Sequence, residues 1–296
     1  MSSKLRVCIA LTLICLYAGN SSAARLNLFE WSAVAPIVAS AEVLRNDGAF
    51  TEVQVLNVFR GTLEDSERIR VALKHANRDR SRNTDLQALK LVPGQAYVFL
   101  LQRAETKKKN KLPAYLLVRG VRGARELPAE GAPAFLDALR EFIGIQDMRS
   151  EEMTWTRFGA MLEETNPILI ETAIDQMLKF HRGEPDLLIS LRPLLDHPRP
   201  DLRQRAVRLV AQILNQFPAD EIPEPVSLRG ELIGSARRDA EVGVRVAATE
   251  ALAVIGDGSI EGILEEIART DPDQAVRYAA QKSLLERRAP SAPALD

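Results

Sequence analysis

The stretch Asp239–Ile255, DAEVGVRVAATEALAVI, returns in altered form at Asp271–Leu285 as DPDQAVRYAAQKSLL. In both, a Val-Arg pair follows the aspartate after four residues, and an alanine stands three after the arginine. Setting such pairs in register gives a period. Val276-Arg277 follows Val244-Arg245 by 32 residues, Leu202-Arg203 precedes Val244-Arg245 by 42, and Ile170-Glu171 precedes Leu202-Arg203 by 32. The odd interval is the period plus ten residues, and the proline-rich Asn215–Val226, NQFPADEIPEPV, accounts for the excess.

Apolar residues keep the same register. Ile170, Ile174, Met177 and Leu178 are followed by Leu202, Ala206, Leu209, Val210 and Ile213, then by Val244, Ala248, Ala251, Leu252 and Ile255, then by Val276, Ala280, Ser283 and Leu284. Such spacing is one stripe of an amphipathic helix. A partner helix is predicted before each, around Trp155–Glu164, Pro185–Leu195, Leu228–Arg237 and Ile260–Thr270. Start signals stand at Ser150, Asn166-Pro167, Ser259 and Asp271-Pro272. A helix pair of this length cannot bury its stripe alone, whereas stacked pairs can, so the pattern predicts an α-solenoid of about four pairs.

The motif D-x-x-x-x-V-R-x-x-A at Asp239–Ala248 and Asp271–Ala280, with its looser form in Pro200–Ile213, resembles the HEAT-repeat family, close to its phycobilin-lyase-like subtype. The resemblance spans residues 150–288, and Glu171 departs from it by standing where the arginine belongs. It implies that Arg203, Asp239, Arg245, Asp271 and Arg277 join neighbouring repeats and are structural.

Before residue 120 the period shifts toward two. Pro36–Arg45, Ala49–Phe59, Glu67–Leu73, Gln95–Arg103 and Ala114–Gly120 read as strands, with a turn at Asn46-Asp47-Gly48. The inward parity of Val53 and Val55 breaks at Leu56, which predicts a bulge there or burial on both faces. Five strands in so short a domain suit an OB-like barrel, whereas an immunoglobulin-like sandwich calls for about seven. The stretches SAEVLR, VQVLNVFRG, PGQAYVFLL and LVRGVRG resemble the netrin-like, metalloproteinase-inhibitor-like OB domains. Inhibitors of that kind chelate zinc through an N-terminal cysteine, and here Arg25 is the expected mature start. The amphipathic Pro133–Gly144 is expected to close the barrel.

The first residues run MSSKLR, VCIALTLICLYA, GNSSAAR: a basic lead, a twelve-residue apolar run and a small-residue exit. This predicts a signal peptide cleaved after Ala24, since a membrane-spanning helix needs roughly 20 apolar residues. Cys8 and Cys15 both lie inside it, so the mature chain would have neither disulfide nor thiolate. The expected division is 1–24 signal peptide, 25–146 barrel domain, 147–288 solenoid and 289–296 disordered tail. Charge is uneven, with 19 Lys/Arg against 14 Asp/Glu over 25–145 and 18 against 26 over 146–296.

No catalytic fingerprint is present. His75, His181 and His197 sit in three separate elements, and Asp196-His197-Pro198 reads as an ordinary helix-connecting turn. Gly256-Asp257-Gly258-Ser259 reads as a helix stop and start, not a calcium loop. No cofactor or metal is expected. The basic runs Lys74–Arg82 and Lys107, Lys108, Lys109 and Lys111 read as solvated loops, with an anionic contact as the minor alternative. The expected function is an exported, periplasmic or extracellular, non-catalytic module that binds a protein and not nucleic acid, with no membrane span in the mature chain. Its candidate contact residues are those four lysines together with Asp220, Glu221 and Glu224 on the insertion. The alternative is an exported hydrolase or lyase with a site between the two halves.

Overall fold

The structure is a computed structural model that describes residues 27–73, 90–104, 114–217, 221–222, 225–255 and 258–288. The expected signal peptide and tail, His75, the basic runs, Gly256, Asp257, Asp220 and Glu224 lie outside the described residues. The chain divides into two compact units, the first ending at Arg125 and the second beginning at Glu126.

The first unit is a closed five-stranded barrel. After a short helix α1 (Leu28–Ser32) come β1 (Ile37–Asn46), β2 (Phe50–Arg60), β3 (Arg68–Ala72), β4 (Ala96–Arg103) and β5 (Ala114–Leu117). The strands run β1-β2-β3-β5-β4, and β4 pairs back onto β1 to close the ring. Every pairing is antiparallel except β3–β5, which is parallel. This is an OB-like barrel, as the strand count predicts. A sixth strand, β6 (Ala124–Glu126), lies beside β4.

Alternation makes the core. Val53 and Val55 of β2 and Ile69 and Val71 of β3 turn inward to meet Val43, Phe99, Leu101 and Tyr115. β4 is buried on both faces, since Val98 and Leu100 are as covered as Phe99. The β1–β2 register passes from Ser40↔Asn57 to Ala41↔Val55, leaving Leu56 opposite no residue. The parity break at Leu56 is therefore a bulge, and the side chain it turns outward is 42% exposed. Two more register shifts, between Val38 and Ala39 and between Val43 and Arg45, add the curvature a small barrel needs. At the hairpin, Asn46 Oδ1 accepts from Gly48 N (2.9 Å), and Asp47 Oδ1 accepts from Ala49 N (2.9 Å) and Phe50 N (2.7 Å). Those backbone bonds from Phe50 and Ala49 hold the Asp47 carboxyl below its ordinary value. α1, which the sequence reading leaves unassigned, is capped by Asn27 Oδ1 accepting from Glu30 N at 2.9 Å.

The second unit is all helical. Its nine described α-helices are α2 (Ala132–Gln146), α3 (Glu151–Ala160), α4 (Pro167–Phe180), α5 (Leu187–Leu191), α6 (Pro200–Gln216), α7 (Pro225–Arg238), α8 (Val242–Ala253), α9 (Ser259–Thr270) and α10 (Gln274–Arg288). α2 belongs with this unit. Asn166 Nδ2 donates to Ala134 O at 2.8 Å, and Arg157 of α3 pairs with Glu141. The predicted stripe is buried except at Leu178 and Ile255, which are half-buried. Leu202, Ala206, Leu209, Val210 and Ile213 have no exposure at all, and Ala248, Ala251, Leu252, Val276 and Ala280 are equally closed. α4 packs on α6, α6 on α8 and α8 on α10.

Local chemistry sets the ends. Ser150 Oγ accepts from Met153 N at 3.3 Å and Asn166 Oδ1 from Ile168 N at 3.1 Å, so these two start signals act as caps. The other two start differently. α9 opens from Gly258 with Ser259 already helical, and α10 begins at Gln274, three residues past Asp271. The helix expected over Pro185–Leu195 stops at Leu191 and continues as a 3-10 turn, Arg192–Asp196, because Pro193 supplies no N–H. The ten-residue excess is not all loop: α6 runs 17 residues against 12 in α8, and Ile222 inside the excess segment is only 8% exposed.

Candidate functional site

The five residues singled out as structural form a regular bracket. Arg203 Nε and Nη2 grip Asp239 Oδ2 and Oδ1 at 2.7 and 2.8 Å, while Nη1 donates to His197 O at 2.8 Å. Arg245 does the same two helices on, gripping Asp271 at 3.0 and 3.2 Å while Nη1 reaches Asp239 O at 2.9 Å. Arg277 Nη1 reaches Asp271 O at 2.7 Å. Each aspartate also accepts the backbone N–H two residues on, Asp239 from Glu241 and Asp271 from Asp273. Burial pushes the Asp239 carboxyl up, but the Arg203 fork, the Glu241 N–H and the nearby guanidinium charges more than offset this and hold it below the ordinary 3.8. The bond to Asp239 raises Arg203 in turn. The Arg203–Asp239 and Arg245–Asp271 pairs are thus engaged with one another and with the backbone.

The departure at Glu171 inverts the pattern. Glu171 accepts from Arg205 Nη2 at 2.9 Å and Arg199 Nη2 at 3.3 Å. Arg205 also pairs with Asp175 at 2.9 Å, and Arg199 with Asp201, whose carboxyl is lowered chiefly by that bond. His197 occupies the aspartate place in its copy, six residues before Arg203, and its Nδ1 accepts from Arg199 N at 3.1 Å as the aspartates accept theirs. Its Nδ1 thus serves the turn. His181 is exposed, ends α4 with left-handed backbone at φ 51°, and lends its carbonyl to Gln216 Nε2 at 3.1 Å. Among the described residues no group of His, Cys, Asp and Glu is placed to hold a metal ion.

Of the candidate contact residues, only Glu221 is described, and it is exposed beside the buried Ile222. The four lysines, Asp220 and Glu224 lie outside the described residues.

A cluster the sequence reading did not single out lies at the start of the helical unit. Phe180 is 48% exposed. Trp155 meets the Phe180 ring edge-on at 5.8 Å and the buried Phe158 at 5.6 Å. The left-handed turn at His181 brings the chain back, so that the Arg182 guanidinium lies 5.6 Å from the Trp155 ring and Lys179 Nζ lies 5.4 Å from that of Phe180. Glu151 accepts from Trp155 Nε1 at 3.3 Å and also pairs with Arg182, fixing both. A half-buried tryptophan beside an exposed phenylalanine, held by an arginine and a glutamate, has the composition of an interface anchor. Residues 25 apart in different elements have no motif, which is why spacing does not reveal them.

No protein-family model matches the chain, and no curated protein matches it. The HEAT resemblance rests on this chain's own residues. Among the described residues no helix is long and apolar enough to cross a membrane.

Proposed function

We propose that the chain is an exported, non-catalytic protein-binding module whose OB-like barrel precedes a HEAT-like α-solenoid of four helix pairs. The repeat reading is supported by the Arg203–Asp239 and Arg245–Asp271 brackets and by the successive packing of α4, α6, α8 and α10. The observation that carries the binding role is the exposed Phe180, whose ring meets the half-buried Trp155 edge-on. The rim around this pair holds the Glu151 carboxylate as well as the cations of Lys179 and Arg182, which suits a protein surface better than a polyanion such as nucleic acid. Export rests on the leader-like first residues.

The test is affinity capture from an exported fraction with the full chain and with a Phe180→Glu variant. A partner held by the wild type and lost by a variant with an unchanged melting curve supports the reading. Equal capture by both, or turnover of a substrate by the purified chain, overturns it.

A further inference from the structure

The turn that follows Phe180 is held from several sides. His181 takes left-handed backbone, φ 51° and ψ 41°, which is costly to a residue bearing a Cβ and persists only where its surroundings enforce it. Arg182 N closes the turn on Met177 O at 2.9 Å. Two side chains of α6, the corresponding helix of the next copy, clasp the turn from outside. Gln212 Nε2 donates to Arg182 O at 3.2 Å and to Met177 O at 3.4 Å, and Gln216 Nε2 donates to His181 O at 3.1 Å. Gly183 passes so close to the same helix that a Cβ there would lie 2.8 Å from Ile213 Cγ1. From the other side, Glu151 of α3 accepts from Arg182 and from Trp155 Nε1. One copy on, Val254 stands 42 residues after Gln212, in the same register place, and its side chain has nothing to donate.

We infer that Gln212 and Gln216 are positioning residues for the Phe180–Trp155 anchor, holding it in its binding geometry before a partner arrives. The binding surface is then the product of two successive copies, one carrying the anchor and the next fixing it. This deepens the binding role proposed above and rests on it. Without the clasp, His181 could leave the left-handed region, and the Arg182 guanidinium would move away from the Trp155 ring with it. Phe180, which precedes the same turn, would lose its fixed edge against Trp155. An anchor that is already ordered gives up little freedom on binding, and that loss is what otherwise offsets affinity. The clasping groups are neutral amides. They fix the turn without changing the charges that Glu151, Lys179 and Arg182 set around it.

Trp155 reports on the turn without any partner. The chain has two tryptophans, and Trp31 is 2% exposed, so acrylamide quenching of the purified full chain reads chiefly Trp155. Gln212→Ala with Gln216→Ala should raise the quenching constant roughly twofold as the ring gains freedom. Circular dichroism should stay unchanged, since alanine suits a helix interior. Gln212→Glu with Gln216→Glu keeps the size and, ionised, removes the donor, so it should match the alanine pair. Should the double variants unfold, Gln216→Ala alone, which releases one carbonyl at an exposed site, carries the same test. An unchanged quenching constant overturns the positioning role, as does a response to alanine and not to glutamate. Capture from the exported fraction separates this proposal from the one above. Partners lost by the glutamine variants as well as by Phe180→Glu support both. Partners lost by Phe180→Glu alone overturn the positioning role only. Equal capture by wild type and Phe180→Glu overturns the binding role, whatever the quenching shows.

Discussion

Arg203 reaches 36 residues ahead to Asp239, gripping both carboxylate oxygens, while the same guanidinium holds the carbonyl of His197 six residues behind it. One side chain thus fastens its own turn and the next. Arg245 and Asp271 repeat the arrangement with still less exposure, 9% and 5% of their side chains.

Because this pair is buried, replacing Arg245 by Ala leaves the Asp271 carboxylate buried without its cationic partner. We expect a loss of about 3 kcal/mol, read as a lowered denaturation midpoint at unchanged slope. Arg277→Ala should cost less, since only carbonyls are released. Equal losses at the two positions would contradict the bracket.

Glu171 and His197 are 26 residues apart, the separation of Arg245 and Asp271, with acid and base exchanged. Glu171→Arg alone should destabilise by setting a cation beside Arg199 and Arg205. Combined with His197→Asp, the new arginine gains the bracket acceptor. The double variant should then be more stable than the sum of the singles by about 1 kcal/mol, measured by chemical denaturation. Additive losses would show that the copies are not equivalent there.

Acid should loosen the helical unit in a defined direction. Asp239 and Asp201 are both held below the ordinary 3.8 by their arginines. A depressed carboxylate contributes stability that is complete above its unfolded value and is lost as pH falls through the folded one. Melting temperature should therefore be flat from neutrality down to about pH 4 and fall below it. Asp239→Asn should lower the plateau and shrink the fall.

In the barrel, Gly61 has φ 95°, and a Cβ built there would sit 2.7 Å from Ile37 Cγ1 and 2.9 Å from Pro36 O. Gly48 has φ 79° with open space around it. Gly48→Ala should cost about 1 kcal/mol, for backbone conformation alone. Gly61→Ala should cost clearly more, because the clash is added. Thermal melts of the two variants decide it, and equal midpoints would refute the contact at Ile37.

Much of this was legible in the residues. Strand limits agree with the alternation to within about three residues, and Leu56 betrays its bulge by breaking parity. The buried stripe is the one the spacing marks, because period reports burial directly. α1 escaped because five residues are too few to show a period. Pro193 lies inside the expected helix, and its missing N–H overrides the apolar pattern there. The Trp155 cluster escaped for a different reason. It is made by the turn at His181, whose left-handed backbone carries no sequence signature strong enough to announce where Arg182 will land. Likewise His197 reads as a loop residue until the turn shows it in an aspartate's place.

Asp239 and Asp271 each serve two arginines, the carboxylate taking one from the preceding copy and the backbone carbonyl taking one from their own. A segment duplicated in tandem would therefore arrive already carrying the clasp for its predecessor and the hook for its successor. An array fastened in this way can lengthen by whole units without any new joint having to be invented.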